Sequence, residues 1–90
     1  MRRVGDALVD GTAAEFKTPA HGATSSTLRN RANEAKRRGG QARMIIFDLR
    51  VCGMSGDEAE RGIARILGAY GDYFDVVRVV GNSFDIERRP

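Results

Sequence analysis

The run Met44-Ile45-Ile46-Phe47 constrains the fold of this chain more than any other stretch. It has no polar alternation, so neither face of the strand it forms can meet water. A strand buried on both faces belongs at the centre of a sheet, between parallel neighbours. We place it over residues 42–50, with Asp48 and Arg50 emerging at its carboxyl end, where open α/β sheets hold ligands. Parallel neighbours require right-handed crossovers, and a helix is available on each side. The first is expected from Thr27 to Arg38, led by Ser25 and Ser26 as capping hydroxyls and stopped at Gly39-Gly40. Its apolar stripe is thin, Leu28, Ala32 and Ala35. The second opens on the capping box Ser55-Gly56-Asp57-Glu58 and ends at Gly71. Its stripe of Ala59, Ile63, Ile66, Leu67 and Tyr70 is wide.

Hairpins flank this centre. Asp10-Gly11 lies between two short apolar runs and is a preferred two-residue type I′ turn. With that turn Val9 faces Thr12, Leu8 faces Ala13, Ala7 faces Ala14 and Asp6 faces Glu15. Directly opposed residues stand about 4.5–5.5 Å apart at Cβ, so two carboxylates there repel. Glu15 and Lys17 share one face with Asp6, expected to be the exposed one, and Ala14 and Phe16 share the other, expected to meet the core. At the far end, Phe74 to Val80 and Ser83 to Arg88 read as a hairpin about Gly81-Asn82. That register sets Arg78 against Asp85 and Asp75 against Arg88. The fold class expected is thus α/β, one small domain spanning 1–90, in ββαβαββ order, with a mixed five-stranded sheet and two helices.

Length and composition agree with that. A chain of 90 residues has one compact core and little more. Its longest apolar run is far below the roughly 20 residues that cross a bilayer, so no stable membrane insertion is expected. The single Cys52 has no partner for an internal disulfide. Net charge is only +3, yet between Arg29 and Arg43 six basic residues meet one acid, Glu34. Such a run suits a polyanion, most simply nucleic acid phosphates, or forms a solvated helix face.

Two chemistries fit the residues around the first hairpin. Asp6, Glu15 and Lys17 match a metal-dependent nuclease, Asp6 and Glu15 holding a divalent cation (Mg²⁺ or Zn²⁺) and Lys17 stabilising phosphate charge. His21, the one histidine, serves instead as general acid or base in metal-independent RNA cleavage, with no cofactor. Thr18, Ser25, Ser26 and Thr27 are candidates to hydrogen-bond phosphate near a helix start. Arg29 and Arg31 follow in the same helix, and Gln41 and Arg43 are further substrate-binding candidates. The plainer alternatives are an acidic edge pair neutralised by Lys17, a loop histidine, and capping hydroxyls.

GDALVDGTAAEFKTP, the Ser/Thr-led helix, the Ala35 to Gln41 stretch and ARMIIFDLR together resemble the C-terminal nuclease domains of CdiA-type contact-dependent inhibition toxins. The resemblance covers about residues 4–50 and extends more loosely over the second helix and terminal hairpin. Asp6, Asp10-Gly11 and Glu15-Phe16-Lys17 fill the places of the family's pattern, although Gly5 stands where a proline is expected. Any helix ahead of the hairpin in a full toxin would precede residue 1. The resemblance implies a bacterial toxin nuclease, an RNase cleaving tRNA. It further implies delivery on a larger secreted or cell-surface protein, action in the target-cell cytoplasm and a cognate immunity protein. Two folds are open on this basis, restriction-endonuclease-like with metal or α+β barnase/EndoU/RelE-like without. The alternative functions are a metal-dependent DNase toxin and a non-catalytic nucleic-acid-binding or adaptor module.

Overall fold

The computed structural model describes residues 7–9, 12–39 and 42–90. Its elements, in chain order, are β1 (Ala7–Val9), β2 (Thr12–Lys17), α1 (Ser25–Arg37), β3 (Met44–Asp48), α2 (Gly56–Tyr70), β4 (Val76–Val80) and β5 (Asp85–Arg88). The strands line up in sequence order. β3 pairs in parallel with both β2 and β4, while β1 and β5 add antiparallel at the two margins. The protein is therefore a small α/β structure with two helices over a mixed sheet. The unalternating run Met44 to Phe47 is buried throughout, as a central strand demands.

Both helices lie on one face. Leu28, Ala32 and Ala35 of α1 and Ala59, Ile63 and Ile66 of α2 pack on Ile45 and Phe47 of β3 and Val77 and Val79 of β4. Two right-handed crossovers stepping in the same direction along a sheet put their helices on the same side. The helices meet closely at Gly62, where a Cβ would stand 2.5 Å from Leu28 Cδ1. The other face carries a smaller apolar cluster, Ala14, Met44, Ile46 and Val76.

Three expectations change here. The sides of β2 are exchanged: Glu15 pairs with Ile45 and Lys17 with Phe47, so both point to the helix-covered face, whereas Ala14 joins the opposite cluster. Parallel partners share a face, and Ile45 and Phe47 face the helices. α1 has too thin an apolar stripe to cover β2 as well, which leaves room for polar side chains. The terminal hairpin is also wider than a two-residue turn. Val80 pairs with Asp85 and Arg78 with Glu87, so residues 81–84 form the connection. The Phe84 ring occupies the space a Cβ of Gly81 would fill, and the turn must widen to admit it. Arg78 still reaches Asp85, diagonally, while Arg88 sits opposite Val77 and pairs with Glu60 rather than Asp75. Finally, α1 starts two residues earlier than expected, with Thr24 as N-cap. In the first hairpin, the pairings Val9–Thr12, Leu8–Ala13 and Ala7–Ala14 are as expected. Asp6 and its confrontation with Glu15 lie outside the described residues.

Candidate active site

β2 runs out at Lys17 because Pro19 cannot donate to a ladder. The chain then turns back, Ala23 N–H donating to the Ala20 carbonyl at 3.2 Å. Gly22 takes φ +88°, left-handed backbone that suits glycine. This turn delivers the chain to α1 and leaves a cleft of about 480 Å³ at the carboxyl end of β2. Lys17, Thr18, His21, Thr27 and Arg31 line it, and Pro19, Ala20, Gly22 and Ala23 complete its wall. A strand end, a loop and the first turns of a helix thus bring five of the expected site residues to one concavity.

Each lining group is held differently. Lys17 Nζ lies 3.6 Å from Glu15 Oε2, one residue pair further back on the strand. The same oxygen accepts from Arg38 Nη2 at 3.2 Å. Glu15 is only 9% exposed, so a nearly buried carboxylate is neutralised by two cations at once. Thr27 Oγ1 accepts from Thr24 N–H at 3.0 Å, which anchors its side chain while its own hydroxyl proton can still be donated. Arg31 is braced by Glu34 at 2.7 Å, one turn along the helix. His21 is exposed on the loop and makes no hydrogen bond or ion pair with the described residues.

The start of α1 is already occupied by an anion of the protein itself. Ser25 N–H donates to Glu58 Oε2 at 2.7 Å, and Arg61 holds the other carboxylate oxygen at 2.8 Å. The Ser25 amide first, and the Arg61 guanidinium after it, keep the Glu58 carboxyl below its usual range. Ser25 Oγ accepts from Arg65 Nε at 3.1 Å, so this buried hydroxyl works as a clip between the helices. Half of the expected capping box is present, Glu58 N–H donating to Ser55 Oγ, but the Glu58 carboxylate caps α1 instead of its own helix. Ser26 and Arg29 lie exposed on the first turns of α1 and do not line the cleft. Arg43 lies at the amino end of β3, away from the cleft, with its guanidinium 4.5 Å from the Tyr73 ring centroid and bonded to the Tyr73 carbonyl. Gln41 lies outside the described residues, as does Asp6.

Among the described residues no group of three or more His, Cys, Asp or Glu is placed to hold a metal ion. The described part of the site offers one carboxylate, Glu15, with Arg38 and Lys17 already upon it. That donor set does not fit a divalent cation, which takes several oxygens and is repelled by neighbouring cations. Sequence reasoning missed Arg38 because it stands 23 residues from Glu15. Its one signal was the crossover itself, which runs α1 back along β2. Glu58 and Arg65 left no signal beyond their own helix.

A family model described as the contact-dependent growth inhibition CdiA C-terminal domain matches residues 4–86. The chain belongs to this family. CdiA C-terminal domains are toxin domains, carried on larger delivered proteins and associated with immunity proteins, and they are commonly nucleases. Nothing matches among curated proteins or solved structures. Within this CdiA C-terminal domain, no described helix is long and apolar enough to cross a membrane.

Proposed function

We propose that this CdiA C-terminal domain, acting over residues 1–90 as one unit, is a ribonuclease. Its cleft at the carboxyl end of β2 would cleave RNA without a metal ion. The observation that carries this reading is the convergence of Lys17, Thr18, His21, Thr27 and Arg31 on one cleft. The ribose 2′-oxygen attacks phosphorus, the bond to the 5′-oxygen breaks, and the products end in a 2′,3′-cyclic phosphate and a 5′-hydroxyl. His21 takes the proton of the attacking 2′-hydroxyl, and the departing oxygen is reprotonated by the imidazolium so formed or by water. Lys17 and Arg31 stabilise the charge that builds on the phosphate oxygens, and the hydroxyls of Thr18 and Thr27 orient them. Glu15 and Arg38 set where the Lys17 amine sits.

The metal-free α+β fold expectation suits this site better than the restriction-endonuclease-like one, which needs a second carboxylate beside Glu15. tRNA is the substrate class to which the family resemblance points, and the target-cell cytoplasm is where such a substrate is met. The test is to incubate the purified domain with total RNA and with plasmid DNA, each in EDTA or in Mg²⁺. RNA cleavage that survives EDTA, with plasmid left intact, is the expected result. Cleavage of either substrate only when Mg²⁺ is present restores the Asp6–Glu15 metal reading and overturns ours.

A further inference from the structure

A second concavity, of about 360 Å³, lies at the other end of α1 and is lined by Glu34, Arg37 and Arg38. We propose that it is a phosphate subsite for a neighbouring nucleotide of the same RNA strand, so that the substrate is recognised along α1 and not at the cleaved bond alone. The proposal rests on the ribonuclease reading and extends it to residues outside the cleft.

Arg31, Glu34 and Arg38 fall at i, i+3 and i+7 and so share one stripe of the helix. The stripe starts in the cleft at Arg31, passes through the Arg31–Glu34 pair and ends at Arg38, which touches Glu15 beside Lys17. From Arg31 to Arg38 the helix axis rises about 10 Å. Over that length Arg31 and the Arg37–Arg38 end of the helix can meet successive phosphates of an extended strand. Glu34 does not spoil the groove, because its carboxylate is engaged by Arg31 at 2.7 Å. Arg38 commits one amino group to Glu15 and keeps its remaining donors, its side chain being 53% exposed. Arg37 is exposed and makes no hydrogen bond or ion pair with the described residues.

A plainer role for these arginines is to balance the negative end of the helix dipole. That end carries only about half an elementary charge. Lys36, Arg37 and Arg38 stand there together, well in excess of it. The surplus is what a polyanion would meet.

The test is fluorescence anisotropy of a short all-2′-O-methyl RNA, which cannot be cut through its 2′-oxygen, titrated with the domain over a range of salt. Each phosphate neutralised on a single strand contributes about −0.7 to the slope of log K against log salt. Arg37→Ala should make that slope shallower by about 0.7, and Arg37→Lys should restore it. A 2′-O-methyl dinucleotide, too short to reach from the cleft, should show no difference between native protein and Arg37→Ala. An unchanged slope for Arg37→Ala on the longer RNA overturns the subsite. The ribonuclease reading fails separately, by the absence of any RNA cleavage, and anisotropy still reports on the groove in that case.

Discussion

On the β4–β5 side of the sheet, Arg78 meets Asp85 through two hydrogen bonds of 2.8 and 2.6 Å. At the carboxyl end of β3, Arg50 meets Asp48 through two more of 2.9 Å each. Both are closed, bidentate pairs in which one acid answers one guanidinium. The β2–α1 side is built otherwise. Lys17 and Arg38 share a single oxygen of Glu15 at 3.6 and 3.2 Å, and His21 and Arg37 have no partner among the described residues. One side spends its charges on itself, and the other keeps a positive surplus around a cleft. A chain of modest net charge can therefore present a cationic site, because its bidentate pairs, Arg78–Asp85 and Arg50–Asp48, lie elsewhere, while on the β2–α1 side Glu34 answers only Arg31 and Glu15 is shared by two cations.

The largest expected effect comes from removing the groups that line the cleft. Lys17→Ala and His21→Ala should each lower RNA cleavage by about 10²–10³-fold, the usual loss of a stabilising donor or proton-transfer group. Rates on total RNA, read against the loss for Arg50→Ala, test it. Equal losses for Arg50 and Lys17 would erase the distinction between the two sides.

The cleft also depends on α2, which holds α1 from behind. Gly62→Ala drives a methyl into Leu28 and should destabilise the domain by about 1–3 kcal/mol in denaturant unfolding. Ser25→Ala removes the acceptor for Arg65 and should cost about 1 kcal/mol by the same measurement. A loss of RNA affinity without loss of stability would instead place the Ser25 hydroxyl on the substrate.

The smallest expected effect concerns acid. The hydrogen bonds from the Arg50 side chain first, and from its amide next, bring the Asp48 carboxyl down to about 2. An unfolded aspartate titrates near pH 4. Since the folded value is the lower, the stability this pair contributes is complete above about pH 4 and is lost as pH falls towards 2. Arg50→Ala should therefore flatten part of the decline in melting temperature over that window. Asp85 and Glu58, lowered in the same direction by Arg78 and by the Ser25 amide, retain the rest.

What the sequence revealed follows the range of the interactions. β3 was legible because its lack of alternation is a local property of four residues. The first hairpin was legible because Asp10-Gly11 dictates register by itself. The cleft was largely legible too, since Lys17, Thr18, His21, Thr27 and Arg31 fall within one turn and the start of one helix. The width of the terminal turn was not, because it depends on where the Phe84 ring packs. The facing of Glu15 was not, because only pairing with Ile45 decides it. The Glu58 carboxylate at Ser25 and the Arg38 guanidinium at Glu15 join residues 33 and 23 apart, distances over which periodicity carries no information.

On our proposal the cleft turns the ribose 2′-hydroxyl into the nucleophile. This is tested most directly with an RNA oligonucleotide spanning a mapped cleavage position, compared with the same strand carrying a single 2′-deoxy sugar there. The all-ribose strand should be cut to a 2′,3′-cyclic phosphate, and the 2′-deoxy strand should stay intact. Cleavage of the 2′-deoxy strand at that bond would contradict it, and would return the chemistry to a water activated beside Glu15.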